Sequence, residues 1–196
     1  MPSLYLSSVL LACGHSKRFG SNKLLVPFQG RPLCETIFRR HPLELFQQNL
    51  VVTRYPEVAL SACQYGFSVV ENLEATDDIA QSIRSAMESL DAKASGCLFS
   101  VCDQPLLRIQ SIQRVVHTFL KHPQAIVALG WRGQRGNPVC FPRDLFEELF
   151  HLPPQQGGGW VVQAHPERLI LVEADSGEEL ADADNPKDLE KLESMV

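Results

Sequence analysis

From Val9 to Leu25 the chain reads Val-Leu-Leu-Ala-Cys-Gly-His-Ser-Lys-Arg-Phe-Gly-Ser-Asn-Lys-Leu-Leu, which places Lys17, Arg18 and Lys23 in a Gly/Ser loop between two apolar runs. Gly14 and Gly20 permit backbone angles and close approaches that a side chain would forbid, so successive N–H groups can converge on phosphate oxygens. The cations supply what amides cannot, because a triphosphate brings several negative charges that must be neutralised together. Such a loop is suited to a nucleotide. It is not a Walker loop, since Ser21 and Asn22 separate Gly20 from Lys23, and a dinucleotide fingerprint would need three glycines at tighter spacing. Leu10 to Cys13 only loosely resembles a lipoprotein cleavage box: too few residues precede it, none of them Lys or Arg.

A bound triphosphate calls for magnesium, and magnesium for a carboxylate. Asp103 stands in Val101-Cys102-Asp103-Gln104-Pro105-Leu106, where an apolar run ends, although an Asp two residues before Pro also reads as a turn cap. Asp182 and Asp184 lie near the end in Asp182-Ala183-Asp184-Asn185-Pro186, where Asp184 or Asn185 is expected to cap a helix opened by Pro186. Ser82 falls inside a predicted helix, a place where a hydroxyl is tolerated without a task. Arg132 and Arg135 sit in a basic, turn-rich stretch and suit an acidic second substrate, with solvated surface an equal account of Arg132. His15, His117, His122, His151 and His165 show no pairing by spacing and read as structural or exposed.

Taken in order, Leu11-Ala12-Cys13-Gly14-x-Ser16-x-Arg18-Phe19-Gly20-x-x-Lys23-Leu24-Leu25 resembles the Leu-Ala-Ala-Gly-x-Ser-x-Arg-Phe-Gly-x-x-Lys-Leu-Leu signature of the MobA-like nucleotidyltransferases, nearest their molybdenum cofactor cytidylyltransferase branch. Cys13 replaces an Ala of the signature. The resemblance runs from Leu6 to Leu192, with several motifs in family order. It implies that Leu11, Ala12, Cys13, Gly14, His15 and Ser16, with Arg18 and Lys23, hold the nucleotide, and that Ser82 lies near its base. It implies that Asp103, the family's Asp-x-Pro aspartate, binds Mg2+, with Asp182 or Asp184 approaching the same ion. Arg135-Gly136-Asn137-Pro138-Val139 resembles the family's Gly-His/Asn-Pro-Val turn, which with Gly157 and Gly158 would face the acceptor. Two departures stand out. Asp78 occupies a position where the family has Gly, and Gln155 replaces the acidic residue of its Gly-Asp-x-Gly-Gly loop.

The implied reaction transfers a nucleotidyl group, CMP from CTP with GTP as a possible donor, to the terminal phosphate of molybdopterin, releasing pyrophosphate. The acceptor phosphate is already an anionic nucleophile, so alignment and charge neutralisation would suffice. Gly14 and Ser16 would cradle phosphates, Arg18 hold the leaving pyrophosphate, Lys23 offset charge at the α-phosphate and Asp103 fix the ion. A molybdoenzyme or its maturation factor would be the protein partner. Two other readings come from different classes: a non-catalytic nucleotide or cofactor carrier, suggested by Asp78 and Gln155, and a nicotinamide-dependent reductase on the same fold.

These residues need a scaffold. At 196 residues, 44% hydrophobic and 21% charged, the chain has the composition of one globular domain, taken here as residues 1–196. A formal charge of −5 argues against duplex nucleic acid, and no apolar run reaches membrane-spanning length. Six scattered cysteines without a Cys-x-x-Cys pair read as buried, reduced thiols of a cytoplasmic protein. The pattern predicts strands at Tyr5–Leu11, Leu50–Thr53, Phe67–Val70, Cys97–Val101, Ile126–Leu129, Pro138–Phe141 and Leu169–Val172. It predicts helices from Pro32 to Arg40, Pro56 to Tyr65, Thr76 to Leu90, Ser111 to Leu120 and Arg143 to Phe150, and one opened by Pro186. Thr76 is the expected cap of the third helix, and Pro153 to Gly159 a mobile loop. Alternating strands and helices imply a mainly parallel twisted sheet covered on both faces, a Rossmann-like three-layer α/β/α fold of the nucleotidyltransferase type, with ligands beyond the carboxyl ends of the strands.

Overall fold

The computed structural model describes residues 4–16, 19–72 and 78–195. Lys17, Arg18, Thr76 and Asp77 therefore lie outside the described residues. In chain order the elements are β1 Leu6–Ala12, β2 Pro27–Phe28, β3 Arg31–Pro32, α1 Leu33–Arg40, β4 Gln48–Thr53, α2 Pro56–Gln64 and β5 Ser68–Glu71. There follow α3 Ile79–Glu88, β6 Gly96–Val101, α4 Ile109–Lys121, β7 Ile126–Trp131, β8 Gln134–Pro142, α5 Phe146–Phe150, α6 Gly159–Ala164, β9 Leu169–Glu173 and α7 Pro186–Glu193.

Seven strands form one sheet in the order β5-β4-β1-β6-β8-β7-β9. β1 pairs in parallel with β4 and β6, β4 with β5, and β7 with β9, whereas β8 runs antiparallel to both its neighbours. The sheet is thus mainly parallel with helices on both faces, a Rossmann-like α/β/α fold. β1 occupies its centre because its side chains are apolar on both faces. Val9 packs with Ala80, Ile83 and Ala86 of α3, while Leu10 packs with Cys34 and Phe38 of α1 and Val58 of α2. Ser7 and Ser8, fully buried, donate their hydroxyls to Gln48 Oε1 at 2.9 Å and Asn49 Oδ1 at 2.7 Å, which avoids the cost of unpaired polar groups. From β1 the chain moves outward to β4 and β5, then returns to β6 on the other side of β1. That reversal opens a crevice beyond the carboxyl ends of β1, β4 and β6.

Several local expectations are corrected. The third helix begins at Ile79, and its cap is Asp78 rather than Thr76: Asp78 Oδ1 accepts the Ala80 N–H at 3.0 Å. Ile79, although apolar, is 41% exposed. The stretch expected to be a turn up to Gly136 is mostly strand, since β8 starts at Gln134 and pairs with β7 through a tight turn at Arg132 and Gly133. Arg143–Leu145 is a 3-10 turn before the short α5, and α6 takes over at Gly159, where only a loop was expected. Asn185, not Asp184, caps α7, in a reciprocal box with Asp188. All six cysteines are free thiols; five are buried and Cys63 is exposed. Among the described residues no helix is long and apolar enough to cross a membrane.

Candidate functional site at the carboxyl edge of the sheet

The loops after β1, β4 and β6 and the amino end of α3 enclose a cavity of about 420 Å3. Leu11 to Ser16 line it from β1, Lys23 from the end of the same loop, Ser82 from α3, and Asp103 and Asp184 from opposite ends of the later chain. Asp182 is not part of this wall, nor are Arg135, Gly136, Asn137, Gly157 and Gly158.

The loop after β1 is folded back on itself. Ser16 adopts a left-handed φ of 52°, Gly20 one of 68°, and the Ser16 Oγ accepts the Lys23 N–H at 3.1 Å. Asn22 Oδ1 caps the following 3-10 turn through the Leu24 N–H at 3.0 Å, and the buried Leu24 anchors that turn in the core. From the neighbouring strand, Thr53 Oγ1 donates to the Ala12 carbonyl at 3.0 Å and the Tyr55 hydroxyl to the Gly14 carbonyl at 2.8 Å. Held at both ends, the loop presents Lys23 to the opposite wall.

There Lys23 Nζ lies 2.7 Å from Asp103 Oδ2 and 3.5 Å from Asp184 Oδ1. The two tails are joined independently of that cation: the Ala183 N–H donates to the Asp103 carbonyl at 2.8 Å, and Gln104 Nε2 donates to Asp182 Oδ1 at 2.9 Å. Burial raises the Asp182 pKa, and the nearby charges of Asp103 and Asp184 raise it further, with Gln104 and Lys23 opposing. Asp103 Oδ1 is buried and has no hydrogen-bond partner. A buried, unpartnered carboxylate oxygen beside a second acid fits a hard divalent cation. Among the described residues no three His, Cys, Asp or Glu side chains converge to hold a metal by themselves, so phosphate and water would complete any coordination shell.

At the other end of the cavity Asn72 Nδ2 donates to Ser82 Oγ at 3.1 Å and lies 3.9 Å from Cys13 Sγ. The Cys13 thiol points to the Val52 carbonyl at 3.3 Å, and burial raises its pKa in spite of the Ser82 and Asn72 contacts. Cys13 and Ser82 give this part of the wall groups able to hydrogen bond, with the Arg54 charge close to Cys13.

Of the residues expected on the acceptor side, Arg135 and the segment from Gly157 to Gly159 lie near one another. A side chain at Gly157 would meet Ile79 Cδ1 at 3.3 Å, one at Gly158 would meet Phe141 at 3.0 Å, and one at Gly159 would meet Arg135 Nη2 at 2.8 Å. The glycines therefore let this segment close between the cavity wall and β8. Arg135 is exposed at its tip yet packed closely enough that desolvation lowers its pKa.

Sequence reasoning left six wall residues out of the site: Leu24, Arg54, Asp78, Ile79, Val101 and Cys102. Arg54, the first residue beyond β4, places Nη1 2.7 Å from His15 Nε2, so His15 is a partnered residue of the cavity rather than a free surface group. Its place just past a central strand was the available signal. Asp78 and the exposed Ile79 also line the cavity. Asp78 Oδ1 accepts the Gln155 N–H at 2.8 Å, joining the helix start to the glycine-rich segment. Two other histidines expected to be unpaired have acidic neighbours, His165 with Glu148 at 2.9 Å and His151 with Glu147 at 3.6 Å.

Comparison with known proteins places this geometry. The profile of the MobA-like NTP transferase domain matches residues 8–169. The chain is 24% identical over 204 residues to the purine catabolism protein PucB of Bacillus subtilis (strain 168), covering 98% of each. It is 24% identical over 191 residues to a probable molybdenum cofactor guanylyltransferase of Nostoc sp. (strain PCC 7120), covering 94% of this chain and 88% of that one. Among solved structures, a nucleotidyl transferase from Methanothermobacter thermautotroptrophicus (Mth528) shares the fold with a TM-score of 0.82, 22% identity and 98% coverage of both chains. Rv0371c of Mycobacterium tuberculosis H37Rv, crystallised in complex with manganese, does so with a TM-score of 0.73 at 22% identity, covering 98% of this chain and 99% of that one.

Proposed function

The chain belongs to the MobA-like NTP transferase family, and on that premise we propose that it transfers a nucleotidyl group, CMP from CTP, to the terminal phosphate of a molybdopterin-type acceptor with release of pyrophosphate. The observation that carries the reading is the 2.7 Å approach of Lys23 to Asp103 on one cavity, which joins a cation of the first loop to a carboxylate of the sixth strand's end. Gly14 and Ser16 cradle the phosphates, Lys23 offsets charge at the α-phosphate, and Arg18 holds the leaving pyrophosphate. Cys13, Asn72 and Ser82 meet the base.

A divalent ion, Mg2+ in this reading, would be held through Asp103 Oδ1 with Asp184 beside it, and the manganese complex of Rv0371c supports such a site. When bound, it supplies charge neutralisation on the phosphates. The chain's own work is alignment: the folded-back loop fixes the donor, and Arg135 with the Gly157–Gly159 segment offers an anion-compatible rim for the acceptor. No strong general base is needed, because the attacking phosphate is already ionised. A molybdoenzyme or its maturation factor is the proposed recipient of the product.

GTP is the second donor, favoured by the Nostoc relative. Gln155 in place of an acid favours a second class, a carrier that binds without transfer. Pyrophosphate release with CTP, GTP and ATP, each with and without a molybdopterin acceptor, separates the three. Release with CTP carries the proposal, release with GTP alone reassigns the base, and binding without release leaves the carrier.

A further inference from the structure

Arg31 of β3 and Arg39 and Arg40 at the end of α1 line a second cavity of about 300 Å3, together with Phe28, Gln29 and Thr36. It shares no wall residue with the nucleotide crevice. No carboxylate lines it, and none of these three arginines forms an ion pair with a described residue, whereas Arg108, Arg114 and Arg168 all do. A helix carboxyl end accounts for cations at Arg39 and Arg40, but not for Arg31, which is brought to the same cavity by a separate hairpin. Arg40 is half-buried and its Nη1 donates to the Pro105 carbonyl. Desolvation, and then the charge of Arg39, lower its pKa. Of the acids close by, Glu193 accepts the Gln29 N–H at 2.5 Å, and Glu35 of α1 accepts from the Tyr65 hydroxyl at 3.1 Å and the Ser61 hydroxyl at 3.4 Å. A chain of net charge −5 thus lines one concavity with three arginines and no carboxylate.

We propose that this cavity binds a phosphate-class oligoanion, at a site separate from the catalytic crevice. Guanidinium forks match the paired oxygens of phosphate, and Thr36 and Gln29 add neutral polar residues to the wall. Three arginines on one wall suit an anion of two or more charges. The concavity favours a small ligand over an acidic protein segment. Arg40 also ties this wall to the turn that carries Asp103, through Pro105 two residues along. The proposal does not rest on the transferase reading. Free diphosphate and the phosphate tail of a nucleotide present the same chemistry.

Calorimetry on the full chain tests it, using inorganic phosphate, pyrophosphate and CTP as probes. Lys23→Ala first weakens the crevice; pyrophosphate or CTP is then expected to retain a binding isotherm. Adding Arg31→Ala and Arg39→Ala should weaken that isotherm about tenfold or more, with an unchanged circular dichroism spectrum, because both positions are exposed. Arg31→Lys with Arg39→Lys, which keeps the charge, should restore part of the affinity. Retention by pyrophosphate alone identifies free diphosphate as the ligand, and tighter retention by CTP identifies the nucleotide tail. No residual binding in Lys23→Ala, or residual binding indifferent to the arginine pair, overturns the site.

Discussion

Asp78 and Gln155, separated by 77 positions, meet through one hydrogen bond: Asp78 Oδ1 accepts the Gln155 N–H at 2.8 Å while also accepting the Ala80 N–H at 3.0 Å. Two of the sites at which this sequence departs from the MobA-like pattern are therefore in direct contact. An acid lost from the glycine-rich loop reappears on the helix start, where it caps α3 and restrains the loop together. Asp78→Ala should cost about 0.5–2 kcal/mol as a lost cap. It should also accelerate hydrogen exchange at the Gln155 amide. Asp78→Asn, which keeps an acceptor oxygen, should lose less. Unchanged exchange at Gln155 in Asp78→Ala would show that the loop holds itself.

Lys23→Ala and Asp103→Asn should each lower turnover roughly 10²–10³-fold, the usual cost of one preorganised charge contact in a reaction carried by electrostatics. Neither should unfold the protein, since the pair is partly exposed at a cavity wall. Steady-state pyrophosphate release and a thermal melt check the two halves separately. Rates near wild type in both variants would dissociate this pair from the chemistry.

The placement of the wall was largely legible in the sequence because its residues sit where regular elements end. Gly14, Ser16 and Lys23 follow an apolar run with no polar alternation, and Asp103 follows another; parallel strands put both ends on one rim. Asp184 was reachable only by family resemblance, since a tail returning to the first loop has no local signature. Arg54 and Ile79 were hidden for opposite reasons. Arg54 looks like an ordinary loop cation, and its role on the wall depends on pairing with His15 across two strands. Ile79 fits the apolar period of α3 but lies at its first residue, where the helix has already left the core. β8 was mistaken in extent because Gly133 and Gly136 read alike as turn residues, whereas only Gly133, at φ 78°, sits in the turn.

Stability should fall in acid through His41. This imidazole is buried, stacked on Phe46, and bonded by Nε2 to Ser8 Oγ at 2.9 Å. Ser8 already donates to Asn49, so Nε2 carries the proton and the buried Nδ1 has no partner. Burial pushes its pKa from 6.5 down to about 4, against a smaller upward pull from Asn49. The unfolded chain then binds a proton that the folded one refuses. The contribution is complete above pH 6.5 and is lost progressively as pH falls toward about 4, by up to about 3 kcal/mol. Urea unfolding at a series of pH values reads this slope. His41→Phe should flatten it, whatever its effect on the level at neutral pH.

Thiol accessibility gives an independent check on packing. Cys63 alone is exposed, whereas burial raises the pKa of Cys13 and pushes that of Cys34 to about 11, and Cys97, Cys102 and Cys140 are raised further still. Since the thiolate is the reactive form, an aromatic disulfide reagent at pH 8 should titrate one thiol quickly in the native protein and all six in denaturant. A bound nucleotide should slow Cys13 further without touching Cys63. Several fast thiols in the native state would contradict the packing around β1 and β6.

The reversed direction of β8 has an architectural consequence. Because it enters the sheet from the rim that the parallel strands leave, the hairpin at Arg132 and Gly133 stands at the same edge of the sheet as the crevice without lining it. Changes in that hairpin leave the residues that line the crevice untouched. In the proposed reaction the recipient's side is then free to diversify while the donor's side stays fixed.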